Sequence, residues 1–370
     1  MVEGDETAHI PLNGGFKTKY DSNDIDEIYS PFVRRDYPIT NYEKCKLIFN
    51  AIFLLPLRVF IIGILCFIFW VVSNVVFIGM DSEKRSFDHL RGMKKWLYLS
   101  AGYFCRVGLF SSGFLSIQRW HVTKEQMDKI RRTDLKINVE NIIHDSSAPC
   151  TIVCNHISML DVIVLLSEFN ITSFVAHERL KDTVFFGKWM KQINCLFVSE
   201  DNKKELADLI KNRQMLHDFK STRMVIFPEG TTTNGSYHIL FNRGAFSAGM
   251  PVQPCMLRYP WNHFCPSWET IPVHTYFLRL LTQFYIPLHV IHFPIYYPSL
   301  HEQNDPTVFA ANVRHVMTKC TNRMFTKQMK SGYKSGLEII KVGNQTRKDK
   351  LSLHDRIING EFEWTKNKNF

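Results

Sequence analysis

The sequence predicts an α/β fold, a mixed sheet covered by helices, with an N-terminal membrane helix or hairpin. Two observations carry this. From about residue 117 short apolar runs alternate with helical stretches, the texture of a sheet layered between helices. Ahead of them, Val59 to Ile78 is 20 residues without a charge, enough to cross about 30 Å of hydrocarbon as a helix. The chain divides accordingly into a polar tail (1–40), a membrane anchor with interfacial helices (41–117), a globular domain (118–326) and a basic tail (327–370).

The first 40 residues mix charges (Glu3, Asp5, Glu6, Asp21, Asp24, Asp26, Glu27), show no cleavable signal peptide and predict a disordered tail. Leu47 to Leu55 is apolar, but Pro56 and Arg58 divide it from the 20-residue run. The region therefore reads as a span plus an interfacial helix, or as a kinked re-entrant hairpin. A buried core helix is the bland alternative; the wealth of Phe, Ile, Val and Trp favours the membrane. Lys44, Lys46 and Arg58 precede the run while Lys84, Arg85, Arg91, Lys94 and Lys95 follow it, which slightly favours a cytosolic second flank. Residues 97–117 are apolar but interrupted by Gly102, Arg106, Gly108 and Gly113, and predict an amphipathic helix on the interface rather than a second span.

Within the domain, strands are predicted at Cys150–Cys154, Ser173–Ala176, Cys195–Val198, Met224–Phe227, Val252–Leu257 and His289–Ile295. Helices are predicted at Ser158–Glu168, Leu180–Gln192, Lys203–Phe219 and Pro306–Phe325. No internal repeat is visible. The tail after residue 326 holds ten Lys/Arg against five acids and so supplies half of the +10 net charge. It suits either a solvated segment or a basic stretch drawn to anionic lipid. Its end, Lys366-Asn-Lys368-Asn-Phe370, fits a K-x-K-x-x dilysine retrieval signal of endoplasmic-reticulum membrane proteins, which requires a cytosolic C-terminus.

Composition narrows the partners. A net charge of +10 suits nucleic acid, an anionic membrane or a phosphorylated small molecule. Aromatics at 13%, 29 of them Phe, suit an interfacial protein. The nine Cys are scattered, with no C-x2-C pair, so no zinc ribbon or disulfide framework is signalled. They favour a reduced, cytosol-facing domain.

Chemistry concentrates in two polar turns. In the first, the apolar run ending at Cys154 stops at Asn155-His156, and Asp161 completes H-x4-D. Ser158-x-x-Asp161 is also a capping-box-like pattern, with Ser158 at the N-cap. Two residues five apart within one helix diverge by about 140°. His156 and Asp161 can therefore meet only if His156 lies before the helix and Asp161 in its first turn, where the cap puts them. A His oriented by a carboxylate is what a general base requires. Cys154, on the same side of the strand as His156, is a conceivable nucleophile, though a Cys in an apolar strand is usually packing.

The second turn, Glu229-Gly230-Thr231-Thr232-Thr233-Asn234-Gly235, follows Phe227-Pro228 at the end of another apolar run. Glu229 is placed to meet a ligand hydroxyl, and Gly230 lets backbone N–H groups approach an anion. Pro251-Val-Gln-Pro254 opens a further apolar strand.

Asn155-His156-x4-Asp161, Phe227-Pro-Glu-Gly-Thr231 and Pro251-Val-Gln-Pro254, in that order and spacing, resemble three motifs of the glycerolipid acyltransferase family. Arg243-Gly-Ala-Phe246 and Leu257-Arg-Tyr-Pro260 resemble its lysophosphatidylcholine and lysophospholipid acyltransferase branch. The similarity covers about residues 85 to 325 and makes 118–326 the catalytic domain. It implies a membrane-bound enzyme that moves a fatty acyl group from acyl-CoA to a lysophospholipid hydroxyl. His156 would be the general base and Asp161 its orienting partner. Glu229, Gly230 and Thr231 would bind the acceptor, with Arg243 and Pro251 as further substrate-binding positions. No metal or cofactor is required, acyl-CoA being a co-substrate. The expected partners are acyl-CoA, a lysophospholipid and the bilayer, not nucleic acid; the expected place is the endoplasmic reticulum membrane.

Two positions depart from the family pattern. Phe197-Val-Ser-Glu200-Asp201 is acidic where relatives carry an Arg that meets the acceptor phosphate, and Lys203 and Lys204 lie just beyond. Asn242 stands where the branch carries a Lys, and Arg243 follows. These leave 1-acylglycerol-3-phosphate or glycerol-3-phosphate as alternative acceptors, and a non-catalytic lipid-binding protein as the alternative outside catalysis. No D-x-D-x-D-G calcium loop is present. Sequons occur at Asn170, Asn234 and Asn344, and a cytosolic domain would leave all three unglycosylated.

Overall fold

The computed structural model describes residues 30–32, 34, 40–80, 90–142, 151–170, 172–183, 186–198, 203–215, 223–260, 264–268, 271–325 and 338–339. Glu200, Asp201, Asn344 and the dilysine-like end lie outside the described residues, as does the basic tail apart from Glu338 and Ile339.

Seven strands form one sheet: β1 (Ile117–His121), β2 (Thr151–Cys154), β3 (Thr172–His177), β4 (Leu196–Val198), β5 (Arg223–Ile226), β7 (Val252–Arg258) and β8 (Leu288–His292). The spatial order is β1-β8-β7-β2-β5-β3-β4; only the β7–β8 pair is antiparallel. The predicted mixed sheet is thus present. A separate parallel pair joins β6 (Tyr237–His238) to β9 (Glu338–Ile339).

Central strand β2 reads Thr-Ile-Val-Cys and is buried throughout, as a strand covered on both faces must be. Its side chains alternate between two cores. Ile152 and Cys154 face one with residues of α2 (Gly92–Ser111), α4 (Asp161–Phe169) and α7 (Val273–Leu281). Val153 faces the other with residues of α3 (Lys124–Thr133), α6 (Lys203–Met215) and α9 (Pro306–Phe325). The domain is therefore three-layered. Short helices α5 (Phe186–Gln192) and α8 (Leu300–Asn304) complete the set among the described residues.

Several elements differ from expectation. Helix α9 has the predicted bounds, but α4 begins at Asp161, three residues after Ser158. The stretch expected as one helix over Leu180–Gln192 contributes the end of a 3-10 turn, Glu178–Leu180, and then α5. Helices α3 and α7 were not expected; both are short, and α7 packs only Tyr276 and Leu280 inward.

The anchor differs most. α1 (Asn41–Val76) runs unbroken through Pro56, 36 residues or about 54 Å, so the chain neither breaks nor turns back there. Five of its residues are buried, Glu43, Asn50, Arg58, Ser73 and Val76, and four of these are polar. Phe49, Phe53, Leu57, Phe60, Phe67 and Trp70 are exposed. The helix thus turns its polar stripe to the protein and its apolar side outward. A helix that is long and apolar enough to cross a membrane is present, but three of its polar residues are bonded to the domain. Asn50 Nδ2 donates to Thr282 O at 2.9 Å, Arg58 Nη1 donates to Leu281 O at 2.7 Å, and Ser73 Oγ donates to Gln192 Oε1 at 2.5 Å. α2 packs on both α1 and α4, where Gly102 lies against Leu166 O and Asn170. The expected interfacial helix is therefore docked on one side, while Met93, Trp96, Tyr103 and Phe110 remain exposed.

Candidate active site

Both polar turns sit at the C-terminal ends of neighbouring parallel strands. Ile152 pairs with Val225 and Val153 with Ile226, so His156 and Glu229 each follow the C-terminal end of adjacent strands. β2 ends at Cys154, but Asn155 extends its ladder toward β7. The Asn155 amide accepts from Leu257 N at 2.8 Å and donates to Leu257 O at 2.9 Å, in place of a backbone rung. That pair fixes where the chain leaves the sheet and so where His156 starts.

The His156 ring lies flat on Phe227, with centroids 4.0 Å apart and planes at 14°. Its Nδ1 is 2.9 Å from Asp161 Oδ2. The same oxygen accepts from Ile157 N at 2.6 Å and Ser158 N at 2.9 Å, and the other carboxylate oxygen accepts from the Tyr259 hydroxyl. Asp161 is fully buried, and these four donors are what make a buried carboxylate tolerable. With Nδ1–H given to Asp161, the imidazole's free lone pair is on Nε2. The side chain is 21% exposed, so a substrate hydroxyl can reach it.

The capping pattern at Ser158 is only half realised. Asp161 does reach back to Ser158 N, but Ser158 Oγ accepts from Leu160 N at 3.1 Å, and Leu160 occupies the N-cap position of α4. Ser158 is therefore a turn residue, not the N-cap. Its hydroxyl lies 2.8 Å from the Tyr276 hydroxyl, which donates to Pro266 O at 3.1 Å. Since Tyr276 spends its one proton on Pro266, Ser158 is the donor between them.

The second turn closes on the first. Thr233 N donates to His156 O at 2.9 Å, and a Cβ on Gly235 would stand 2.8 Å from Ile157 Cδ1. Glu229 is fully buried and Thr231 half-buried. Gly230 has φ +67° and a Cβ there would meet Asn242 Nδ2 at 2.5 Å, so both backbone and space call for glycine. Asn242 N donates to Pro228 O at 2.7 Å, setting the 3-10 turn Arg243–Phe246 beside this loop with Arg243 exposed. Pro251 is not brought to the site. It precedes β7, which runs parallel to β2 with Val252 opposite Thr151, so it lies at the opposite end of the sheet from His156.

Cys154 is unsuited to nucleophilic attack. It is fully buried, and burial, the neighbouring Cys255 thiol and the charges of Asp161 and Glu229 push its thiol well above the ordinary range. Asn234, one of the sequons, is 2% exposed and closed to a glycan.

Sequence reasoning missed four contributors. Tyr259 lies in Leu257-Arg-Tyr-Pro260, yet nothing local shows that the end of β7 delivers its hydroxyl to Asp161. Tyr276 sits on an unpredicted helix. Pro31 and Arg34 lie in the stretch expected to be a disordered tail. Pro31 O instead accepts from Asn234 N at 2.8 Å, and the Arg34 guanidinium donates to the carbonyls of Cys265 and Ser267 beside Phe264.

Residues 121–258 match the sequence family described as Acyltransferase. Over 328 residues the chain is 31% identical to Lysophospholipid acyltransferase LPEAT1 of Arabidopsis thaliana, covering 80% of this chain and 82% of that protein. The chain belongs to the glycerolipid acyltransferase family. It is also 30% identical over 319 residues to Lysophosphatidylcholine acyltransferase 1 of Danio rerio, covering 84% of this chain and 55% of that protein. Lysophospholipid acyltransferase LPCAT4 of Xenopus tropicalis is 27% identical over 302 residues, which cover 78% of this chain and 52% of that protein. The chain thus spans about half the length of these last two relatives. All three carry names of the lysophospholipid branch, the one that Arg243-Gly-Ala-Phe246 and Leu257-Arg-Tyr-Pro260 resemble. Membership makes the chain an O-acyltransferase, and His156 and Asp161 are in contact at the end of β2.

Proposed function

We propose that this O-acyltransferase moves a fatty acyl group from acyl-CoA to the free hydroxyl of a lysophospholipid held at a membrane surface. The observation that carries the reading is the His156–Asp161 contact, which leaves Nε2 as the one basic ring nitrogen beside the Glu229 turn. His156 Nε2 takes the acceptor's hydroxyl proton as the oxygen attacks the thioester carbonyl. The tetrahedral intermediate collapses with cleavage of the C–S bond, and the proton on Nε2 passes to the departing CoA sulfur. Asp161 stabilises the imidazolium formed between these steps. Glu229, Gly230 and Thr231 bind the acceptor beside that base, and Arg243 is the neighbouring cation for its phosphate. The chemistry needs no metal or cofactor.

The anchor supports a surface-bound arrangement. Asn50 and Ser73, both bonded to the domain, are 23 residues apart in α1, or about 35 Å along its axis. A span docked over that length would carry the domain into hydrocarbon, so α1 lies along the bilayer with its apolar side in lipid.

Membranes expressing the full chain, supplied with radiolabelled acyl-CoA and a panel of acceptors, test this. Lysophospholipids should be acylated by the parent and not by His156→Ala; full activity of the variant refutes the mechanism. Acylation confined to 1-acylglycerol-3-phosphate or glycerol-3-phosphate would keep the chemistry and replace the acceptor. Lipid binding without any transfer would leave a binding protein.

A further inference from the structure

Helix α7 buries Tyr276 and Leu280, yet its outer side is apolar apart from His274. Val273, Phe277 and Leu278 are exposed there, and the turn that follows exposes Phe284 and Tyr285. A helix facing water carries polar residues on its outer face, and contiguous exposed apolar surface marks an interaction site.

What adjoins this surface identifies its partner. Asn50 donates to Thr282 O, and Arg58 donates to Leu281 O at 2.7 Å, Gln283 O at 2.5 Å and Phe284 O at 3.3 Å. α1 therefore crosses α7 at its C-terminal end. Phe49 and Leu57, the exposed neighbours of those two anchors in sequence, bring the lipid side of α1 to the edge of the α7 surface. A cation at the C-terminal carbonyls of a helix also suits the helix dipole, so the junction is built and not incidental.

We propose that the outer face of α7, with Phe284 and Tyr285, is a second lipid-inserting element, and that its partner is the bilayer that receives α1. This rests on the membrane reading of α1. It adds that the active site itself, and not only the anchor, is pressed onto lipid. Tyr276, on the inner face of α7, bonds Ser158 in the turn that holds Asp161. Lipid on the outer face then lies within about one helix diameter, roughly 10 Å, of that turn. An acceptor reaches His156 from the headgroup layer without leaving it.

The test uses the full chain in phosphatidylcholine vesicles whose acyl chains are brominated, and reads the tryptophan emission each variant adds to that of the seven native Trp. Phe277→Trp and Phe284→Trp probe α7, Phe60→Trp probes α1, and Lys129→Trp on exposed α3 reports water. The α7 probes should be quenched by bromine and shielded from aqueous iodide, as Phe60→Trp is, while Lys129→Trp answers to iodide alone. If they follow Lys129→Trp while Phe60→Trp is in lipid, the α7 proposal fails and the membrane reading of α1 stands. If Phe60→Trp also follows Lys129→Trp, both fail. If the α7 probes are shielded from both quenchers, protein covers that face and the proposal is overturned.

Discussion

The Tyr259 hydroxyl donates to Asp161 Oδ1 at 2.5 Å, on the oxygen opposite the one that holds His156. Burial, and then the Asp161 charge, push this phenol well above its usual range, so it stays a neutral donor. It therefore fixes the rotation of the carboxylate, and through it the plane of the imidazole. Tyr259→Phe should lower kcat by about tenfold with little change in KM, and lower stability by about 1.5–3 kcal/mol for a lost bond to a charged group. Paired kinetics and melting curves in detergent check this. A melting loss with unchanged kcat would reduce Tyr259 to a structural residue.

Asp161→Asn tests the orienter without emptying its space. The Asn amide cannot accept from His156 Nδ1, Ile157 N and Ser158 N with one charged oxygen, as Asp161 Oδ2 does. Turnover should fall by roughly 10²- to 10⁴-fold, the usual span for general-base catalysis, with KM near the parent's. A loss carried by KM alone would place Asp161 in binding instead.

The pairing of His156 with Asp161 was legible because it depends on a short stretch of chain. Its stated cause, an N-cap at Ser158, was not the one the structure uses. The extended chain from Asn155 to Ser158 is fixed by Leu257, Tyr276 and Thr233, residues 75 or more positions away that no local pattern shows. Pro251 misled for a related reason. Its motif is adjacent to β2 across the sheet, but parallel pairing puts its first residue at the wrong end. In α1, Pro56 and Arg58 read as a break in an apolar run. Arg58 is in fact bonded to carbonyls more than 220 residues away, a contact sequence periodicity cannot express.

Gly230→Ala separates backbone strain from steric conflict. At φ +67° an alanine costs about 1 kcal/mol, and its Cβ must also displace the Asn242 amide. We expect weaker acceptor binding, seen as a KM raised several-fold, and partial recovery in Gly230→Ala/Asn242→Ala. No recovery would assign the whole effect to the backbone.

Acid should destabilise the domain through His238. Its Nδ1 lies 2.8 Å from Thr318 Oγ1, whose own proton goes to Arg314 O, so Nδ1 carries the hydrogen and the neutral ring is the folded form. Burial, and then the Arg314 charge, pull this imidazole down to about 3, against an ordinary value of roughly 6.5. Between those limits the unfolded chain holds a proton that the folded one does not. Stability is complete above pH about 6.5 and is lost as pH falls toward 3. Melting curves of His238→Gln in detergent should fall less steeply from pH 6.5 to 4.5; an unchanged slope would remove His238 as the cause.

Arg58→Leu tests how the anchor is joined to the site. The substitution makes α1 more apolar and a better free membrane helix, so membrane retention should be unchanged in flotation. It strips three backbone carbonyls at the end of α7 of their donor, each such bond to a charged group being worth about 1.5–3 kcal/mol. Because Tyr276 of α7 bonds Ser158, which lies against Asp161, loosening that helix end should also reach His156. We expect a lower melting temperature in detergent and a reduced kcat in vesicles, with the protein still fully membrane-bound. Loss of membrane binding with normal turnover in detergent would show that Arg58 serves the anchor alone. Unchanged melting and turnover would mean that water replaces the guanidinium at the α7 end.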